Sequence, residues 1–319
     1  MDNIREQLKA VGARYNKSLP HYDACIQLVS AAYRKLEDDA DFAAYGRFAG
    51  KPAVDYYTFS NNFFTSRPVR PDIYISSYDE LIHSIEQLSR SLENRPSRLN
   101  NEDIETSNRV VYTAVMSVAC CYDLWQRGSR KTPGTFFEFL MAALLQKMLP
   151  AAVFSKHISL ASLLNDTETG EGVPVDIEAL ESDEEEGGAA SVSTDLVIGM
   201  PDRRGGVVIP LKITTRERIV QPFAHQRILN SAFGEAAYQS LLVCISETQL
   251  DEKTRSVKQV CVPGTVKLFQ KYLAPIGGLY YCDIPQRYFA ADMQKIIPVK
   301  SVGDFFRDLA KIMELNGQL

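Results

Sequence analysis

The chain has 319 residues, 45% hydrophobic and 24% charged, long enough for one large or two ordinary domains with a sizeable core. No run approaches the roughly 18–20 apolar residues of a membrane helix, the polar start Met1-Asp2-Asn3-Ile4-Arg5 does not read as a secretory signal, and the six cysteines show no CxxC spacing. These features argue for reduced, buried thiols in a cytoplasmic protein and against a membrane protein, a disulfide scaffold or a zinc ribbon. The formal net charge of −5 is unusual for a nucleic-acid binder, but its distribution matters more: no Lys or Arg lies between Lys156 and Arg203, acids crowd Asp166 to Glu186, and the remainder is basic.

From residue 1 to about 130 the chain reads mainly as helices. Apolar spacing of three and four predicts helices over 2–15, 21–38, 77–92 and 101–126, with Ser77 and Asp79 as candidate N-caps for the third. Residues 53–75, rich in aromatics and proline, read as extended chain or loops. A hinge over 127–134 precedes an amphipathic helix at 135–149 that carries Glu138 among phenylalanines and leucines. Beyond it, β-branched runs alternate with helices: strands at 196–200, 207–213, 240–246, 257–262, 278–282 and 296–299, and helices at 223–233, 265–272 and 303–315. That alternation implies an α/β fold with a central mixed sheet flanked by helices. The chain therefore divides into a mainly helical part at 1–130 and an α/β part at 131–319. An acid-rich, Gly-rich insertion at 165–193 reads as disordered.

The chemistry concentrates around two strands. Asp195 lies on one apolar strand and Lys212 ends the next, across the turn from Pro201 to Gly206. An acid and a lysine on hairpin partners can hold a divalent cation beside an activated water. Mg²⁺ takes hard oxygens and keeps several waters, so Asp195, the Leu211 carbonyl and Glu138 form a candidate ligand set. Just beyond, Arg216-Glu217-Arg218 has the groups to read a G·C pair. Arginine bonds guanine O6 and N7 together, and a carboxylate accepts from cytosine N4. Gln221 and Arg227 could add contacts, and Asn61, Asn62, Arg67 and Arg70 could form an arm to outer base pairs.

Glu138 in its Gly134-x-x-x-Glu138 helix, Asp195 and Lys212 resemble the PD-(D/E)xK nuclease core. The run Lys212-Ile213-Thr214-Thr215-Arg216-Glu217-Arg218 resembles more specifically the type II restriction endonucleases of CCGG- or CC-containing sites, in which an Arg-(Asp/Glu)-Arg triplet follows the catalytic lysine. The resemblance covers about residues 132–246. It implies a restriction-endonuclease-like core that cuts double-stranded DNA at a C·G-containing, CCGG-like palindrome, with Mg²⁺ as cofactor and a homodimer as the active form. The helical part would supply dimer contacts or part of a DNA clamp. Glu138, Asp195 and Lys212 would be catalytic, Arg216, Glu217 and Arg218 would read bases, and Gln221 and His225 would support them.

Two departures stand out. Pro210 occupies the place, two before the lysine, where the family carries an acid. On the following helix, where the CCGG-type enzymes place a substitute acid, this chain has His225 and Gln226. The second acid then falls to Glu138, and Gln226 could ligate the metal weakly through its amide oxygen or hold one of its waters as a further catalytic residue. The same core could instead serve a structure-selective repair or recombination nuclease, or a catalytically decayed DNA-binding protein.

Overall fold

The computed structural model describes residues 1–129, 131–160, 191–199, 205–235 and 237–315, and of Arg216 and Glu217 the backbone alone. Most of the acid-rich insertion lies outside these residues. The helical part comprises α1 (Asp2–Asn16), α2 (Tyr22–Asp39), α3 (Tyr78–Asn94) and α4 (Asn101–Trp125), with the antiparallel hairpin β1 (Asp41–Phe48) and β2 (Val54–Ser60) between α2 and α3, and α5 (Thr132–Met148) leads from it into the sheet. Ser77 caps α3 as expected. Asn100 and Asp103 form a reciprocal capping box at the start of α4, satisfying two otherwise orphaned N–H groups. From Val110 to Tyr122 every residue of α4 is buried, so this helix is the axis around which α2, α3 and the end of the chain pack.

The α/β part runs β3 (Val153–Ser159), β4 (Ser191–Gly199), β5 (Gly206–Val208), β6 (Leu211–Lys212), α6 (Val220–Phe233) and β7 (Tyr238–Cys244). It continues through the hairpin β8 (Thr248–Asp251) and β9 (Ser256–Gln259), then α7 (Pro263–Tyr272), β10 (Gly278–Tyr281), α8 (Ala291–Gln294), β11 (Val299–Ser301) and α9 (Val302–Leu315). Among the described residues the main sheet is seven-stranded, in the order β11-β10-β7-β5-β4-β3, with β6 also on β7. The strands β3, β4 and β5 pair antiparallel, whereas β5 and β6 pair parallel to β7, and β7, β10 and β11 run parallel. The expected mixed sheet is present.

Both faces of that sheet are covered, which is why β7 is almost continuously apolar. Leu241, Val243 and Ile245 join the helical core, while Leu242 and Cys244 face Phe223 of α6 and Val266 of α7. The period of two along the strand sorts one sequence into two cores. The single strand expected at 207–213 is interrupted at Ile209-Pro210. Proline has no N–H to give the ladder with β7, although its carbonyl still accepts from Val243 N–H at 2.9 Å.

The division near residue 130 is no break in packing. One core runs from Ile4 to Met313 and includes α4, the sheet residues Leu196, Ile198, Val207, Ile209 and Leu211, and the buried face of α9. At Gly303 a Cβ would stand 1.9 Å from the Ile104 carbonyl, so α9 and α4 touch backbone to backbone. Arg70 bridges Asp72 at 2.8 Å and the buried Asp283 at 2.9 Å, and Tyr56 also donates to Asp283. All six cysteines are free and buried, and burial pushes the Cys25 and Cys120 thiols up to about 12. Among the described residues no helix is long and apolar enough to cross a membrane.

Candidate active site

The break at Pro210 opens the sheet where the chemistry-bearing residues stand. β4 and β5 pair regularly from Gly199↔Gly206 to Val197↔Val208, and Ile209 N–H still donates to the Leu196 carbonyl at 2.8 Å. The next N–H on that edge is Leu211, and it goes to a side chain: Asp195 Oδ2 accepts it at 2.7 Å. The same oxygen accepts from Lys212 Nζ at 2.7 Å. A carboxylate thus replaces a backbone rung, and the two strands part around it. Ser193, Thr194, Asp195, Pro210, Lys212, Gln221, Pro222 and His225 line the resulting cavity of about 150 Å³, with room for several waters.

Lys212 is the more enclosed partner of the pair, with 12% of its side chain exposed against 29% for Asp195. Among the described residues no hydrogen bond reaches Asp195 Oδ1. In an extended strand the N–H and C=O of one residue leave on the same edge. The Leu211 carbonyl therefore lies on the Asp195 side, since the Pro210 and Lys212 carbonyls are taken by Val243 and Ile245 of the neighbouring strand. His225 is partly buried on α6. Burial first, and then the Lys212 charge, hold its imidazole below the usual histidine range, with Asp195 opposing. It therefore faces the cavity in its neutral form near neutral pH.

Glu138 does not line this cavity. It forms an ion pair with Lys156 at 2.5 Å, and the Lys156 ammonium also lies over the Tyr15 ring, 4.7 Å from its centre. Burial first, and then the charge of Glu138 with its hydrogen bond, raise the Tyr15 phenol far above its ordinary range. Gln226 is turned elsewhere altogether. Its Oε1 accepts from Ser240 N–H at 2.8 Å, and its Nε2 donates to the Tyr238 carbonyl at 2.8 Å and to Asn230 at 2.7 Å. This corrects the expectation of a metal-ligating amide: the buried side chain fastens α6 to β7.

The arginine triplet forms a short 3-10 turn, Arg216–Ile219, that runs directly into α6. Arg218 is exposed on the turn and Gln221 on the first turn of α6, while Ile219 anchors the turn in the core shared with Phe223. The side chains of Arg216 and Glu217 lie outside the described residues. Of the candidate arm, Arg67 is committed to Asp123 at 2.7 Å and Arg70 to Asp72 and Asp283. These two hold the fold together. Sequence reasoning missed Ser193 and Thr194 in the cavity lining, and Lys156 and Tyr15 as the partners of Glu138. Only Lys156 carried a signal, as the last cation before the long acidic stretch.

The crystal structure of the type IIP restriction endonuclease Kpn2I superposes on this chain with a TM-score of 0.86. The two are 43% identical, and the match covers 99% of each chain. The chain belongs to the type IIP restriction endonuclease family. A substrate-DNA complex of the restriction endonuclease PspGI covers 74% of this chain and 92% of its own with a TM-score of 0.40 and 14% identity, too distant to bear on the site. No protein-family model and no curated protein matches. In this type IIP family member, no group of three or more His, Cys, Asp or Glu side chains is placed to hold a metal among the described residues. A cation at the Asp195 cavity would rest on one carboxylate, backbone oxygen and water.

Proposed function

We propose that this chain is a Mg²⁺-dependent endonuclease that cuts double-stranded DNA at a C·G-containing, CCGG-like palindrome, acting as a homodimer. One observation carries the reading. The Lys212–Asp195 pair stands at 2.7 Å in a cavity opened by a strand break, and the same strand continues within a few residues into the turn that carries the exposed Arg218. Cutting and reading groups then sit on one stretch of chain.

The donor set suits the cation. Asp195 Oδ1 and the Leu211 carbonyl are hard oxygens on one edge, and Mg²⁺ accepts one or two carboxylates while keeping several waters. When bound, it would polarise the scissile phosphate and make a water acidic enough to attack. Lys212, oriented by Asp195 Oδ2, offsets the charge that develops on the phosphate and directs the water. Neutral His225 has one N–H for a phosphate oxygen, and Gln221 has an amide beside it. Glu138, paired with Lys156, acts as an outer acid through water. Arg216 and Arg218 each offer a fork to guanine, and Glu217 accepts from cytosine. Two copies would give each strand its own active site, matching two-fold DNA with two-fold protein.

Plasmid DNA incubated with and without Mg²⁺, followed by sequencing of the cut ends, tests this reading. Discrete Mg²⁺-dependent fragments sharing a palindromic end sequence support it. Binding without cleavage would support a decayed DNA-binding protein, the reading favoured by Pro210 and the absence of an acid on the following helix. Cutting at junctions or without base preference would point to a repair nuclease.

A further inference from the structure

The chain between Lys212 and the arginine turn is fastened step by step to the end of β7. Ile245 N–H donates to the Lys212 carbonyl at 3.1 Å, and Ser246 N–H donates to the Ile213 carbonyl at 3.1 Å. At the next residue the polarity reverses. Oε1 of Glu247 accepts from Thr215 N–H at 2.9 Å, from the Thr215 hydroxyl, and from the Tyr281 hydroxyl at 3.2 Å. Thr215 is 1% exposed and Glu247 0%. The Thr215 carbonyl in turn accepts from Arg218 N–H at 2.8 Å, closing the turn Arg216–Ile219. The N–H, hydroxyl proton and carbonyl of Thr215 are therefore all committed at the root of that turn.

A carboxylate removed from water is costly unless donors surround it, and its use here needs a reason. A neutral side chain could tie down a surface loop. The Glu247 side chain gathers a backbone N–H and two hydroxyls on a single oxygen, so three separate segments are tied at one point. It does so directly beyond the two rungs that fix Lys212 and Ile213. The same strand end thus sets both the lysine and the base of the arginine turn.

We propose that Glu247 is a positioning residue for base selection. Through Thr215 it sets the height and direction of the Arg216–Ile219 turn relative to Lys212. This inference rests on the proposed function, since it assumes that the turn reads bases. A hydrogen bond to a base edge tolerates only a few tenths of an ångström. Releasing the root of a turn closed by a single i→i+3 bond would move the arginine forks out of that range.

The test is a pool of DNA duplexes randomised over the cleavage site, cut by wild type, Thr215→Val, Thr215→Ser, Glu247→Ala and Arg218→Ala, with the cut ends sequenced and thermal midpoints measured alongside. Thr215→Val keeps the shape and removes the hydroxyl, so it decides the matter where Glu247→Ala fails to fold. Preference for the best site over its single-mismatch neighbours should fall by about tenfold or more in Thr215→Val and Glu247→Ala, the order of one lost base contact. Thr215→Ser should cut with wild-type preference. The inference is overturned if Thr215→Val and any folded Glu247→Ala lose only thermal stability or total rate at unchanged preference. Arg218→Ala separates the two levels. Unchanged preference in that variant removes the premise that the turn reads bases, and no cutting by wild type removes the proposed function itself. Broadened preference in Arg218→Ala with none in Thr215→Val removes this inference alone.

Discussion

At the residue scale, Asp195 works twice, closing a backbone rung with Leu211 and orienting Lys212. Replacing either Asp195 or Lys212 with alanine should lower the cleavage rate by at least about three orders of magnitude, the scale on which a catalytic set loses one member. DNA binding measured with Ca²⁺ in place of Mg²⁺ should persist; turnover near wild type in either variant would end the assignment. Gln226 makes the opposite prediction, because its amide satisfies buried backbone groups of β7. Gln226→Ala should cost about 1–3 kcal/mol of stability in urea, the penalty for orphaned buried polar groups. Its cleavage rate below the melting range should stay within a few-fold of wild type, and a rise in the Mg²⁺ requirement would restore the amide as a ligand. Asp195 and Lys212 were legible in the sequence because their types, on adjacent apolar strands, carry chemistry directly. Glu247 and Thr215 were not, being ordinary residues that meet across a strand and an intervening helix.

At the element scale, the helices were legible where period and caps agree, as in α3 behind Ser77 and in the long buried α4. Strands were harder. β3 carries Lys156 and His157 and buries Ile158 alone, so its pattern is too polar to announce an edge strand. The β8–β9 hairpin is short and its turn is charged and exposed. Pro210 was visible as a missing acid, but its structural effect, a split strand that opens the cavity, depends on β4 and β7 lying on either side. The contact of α9 with α4 gives this scale its prediction. Gly303→Ala would drive a Cβ into the Ile104 carbonyl, against backbone that cannot rotate away. It should destabilise by about 1–3 kcal/mol, as overpacking does, with a denaturant midpoint indistinguishable from wild type as the contrary result.

At the scale of the whole molecule, the shared core joins the helical and α/β parts into one cooperative unit. Equilibrium unfolding should therefore follow a single transition, with Trp125 fluorescence from the helical layer and far-ultraviolet dichroism coinciding. Two separated transitions would show that the parts melt independently. Asp283→Ala should lower the common midpoint, since it takes from Tyr56 the acceptor of its hydroxyl proton and leaves Arg70 with Asp72 alone. A loss of about 2–4 kcal/mol is expected, near the lower end for breaking a buried pair because Arg70 remains partly solvated. Composition suggested two pieces because the secondary structure changes near residue 130. Packing overrides that change, since α4 offers apolar surface on all sides and no single segment can cover it.

The burial of every cysteine has a practical consequence. Thiols with low acidity inside a closed interior react with a maleimide only when the chain around them opens, so the protein carries its own clock for internal motion. Cys120 and Cys121 time the helical axis, Cys244 and Cys282 the sheet, and Cys261 the segment leading from β9 into α7. Mass spectrometry of the alkylated protein would give each opening rate separately. If one cooperative unit governs the molecule, Cys121 and Cys244 should label in step, and cognate DNA should slow both together.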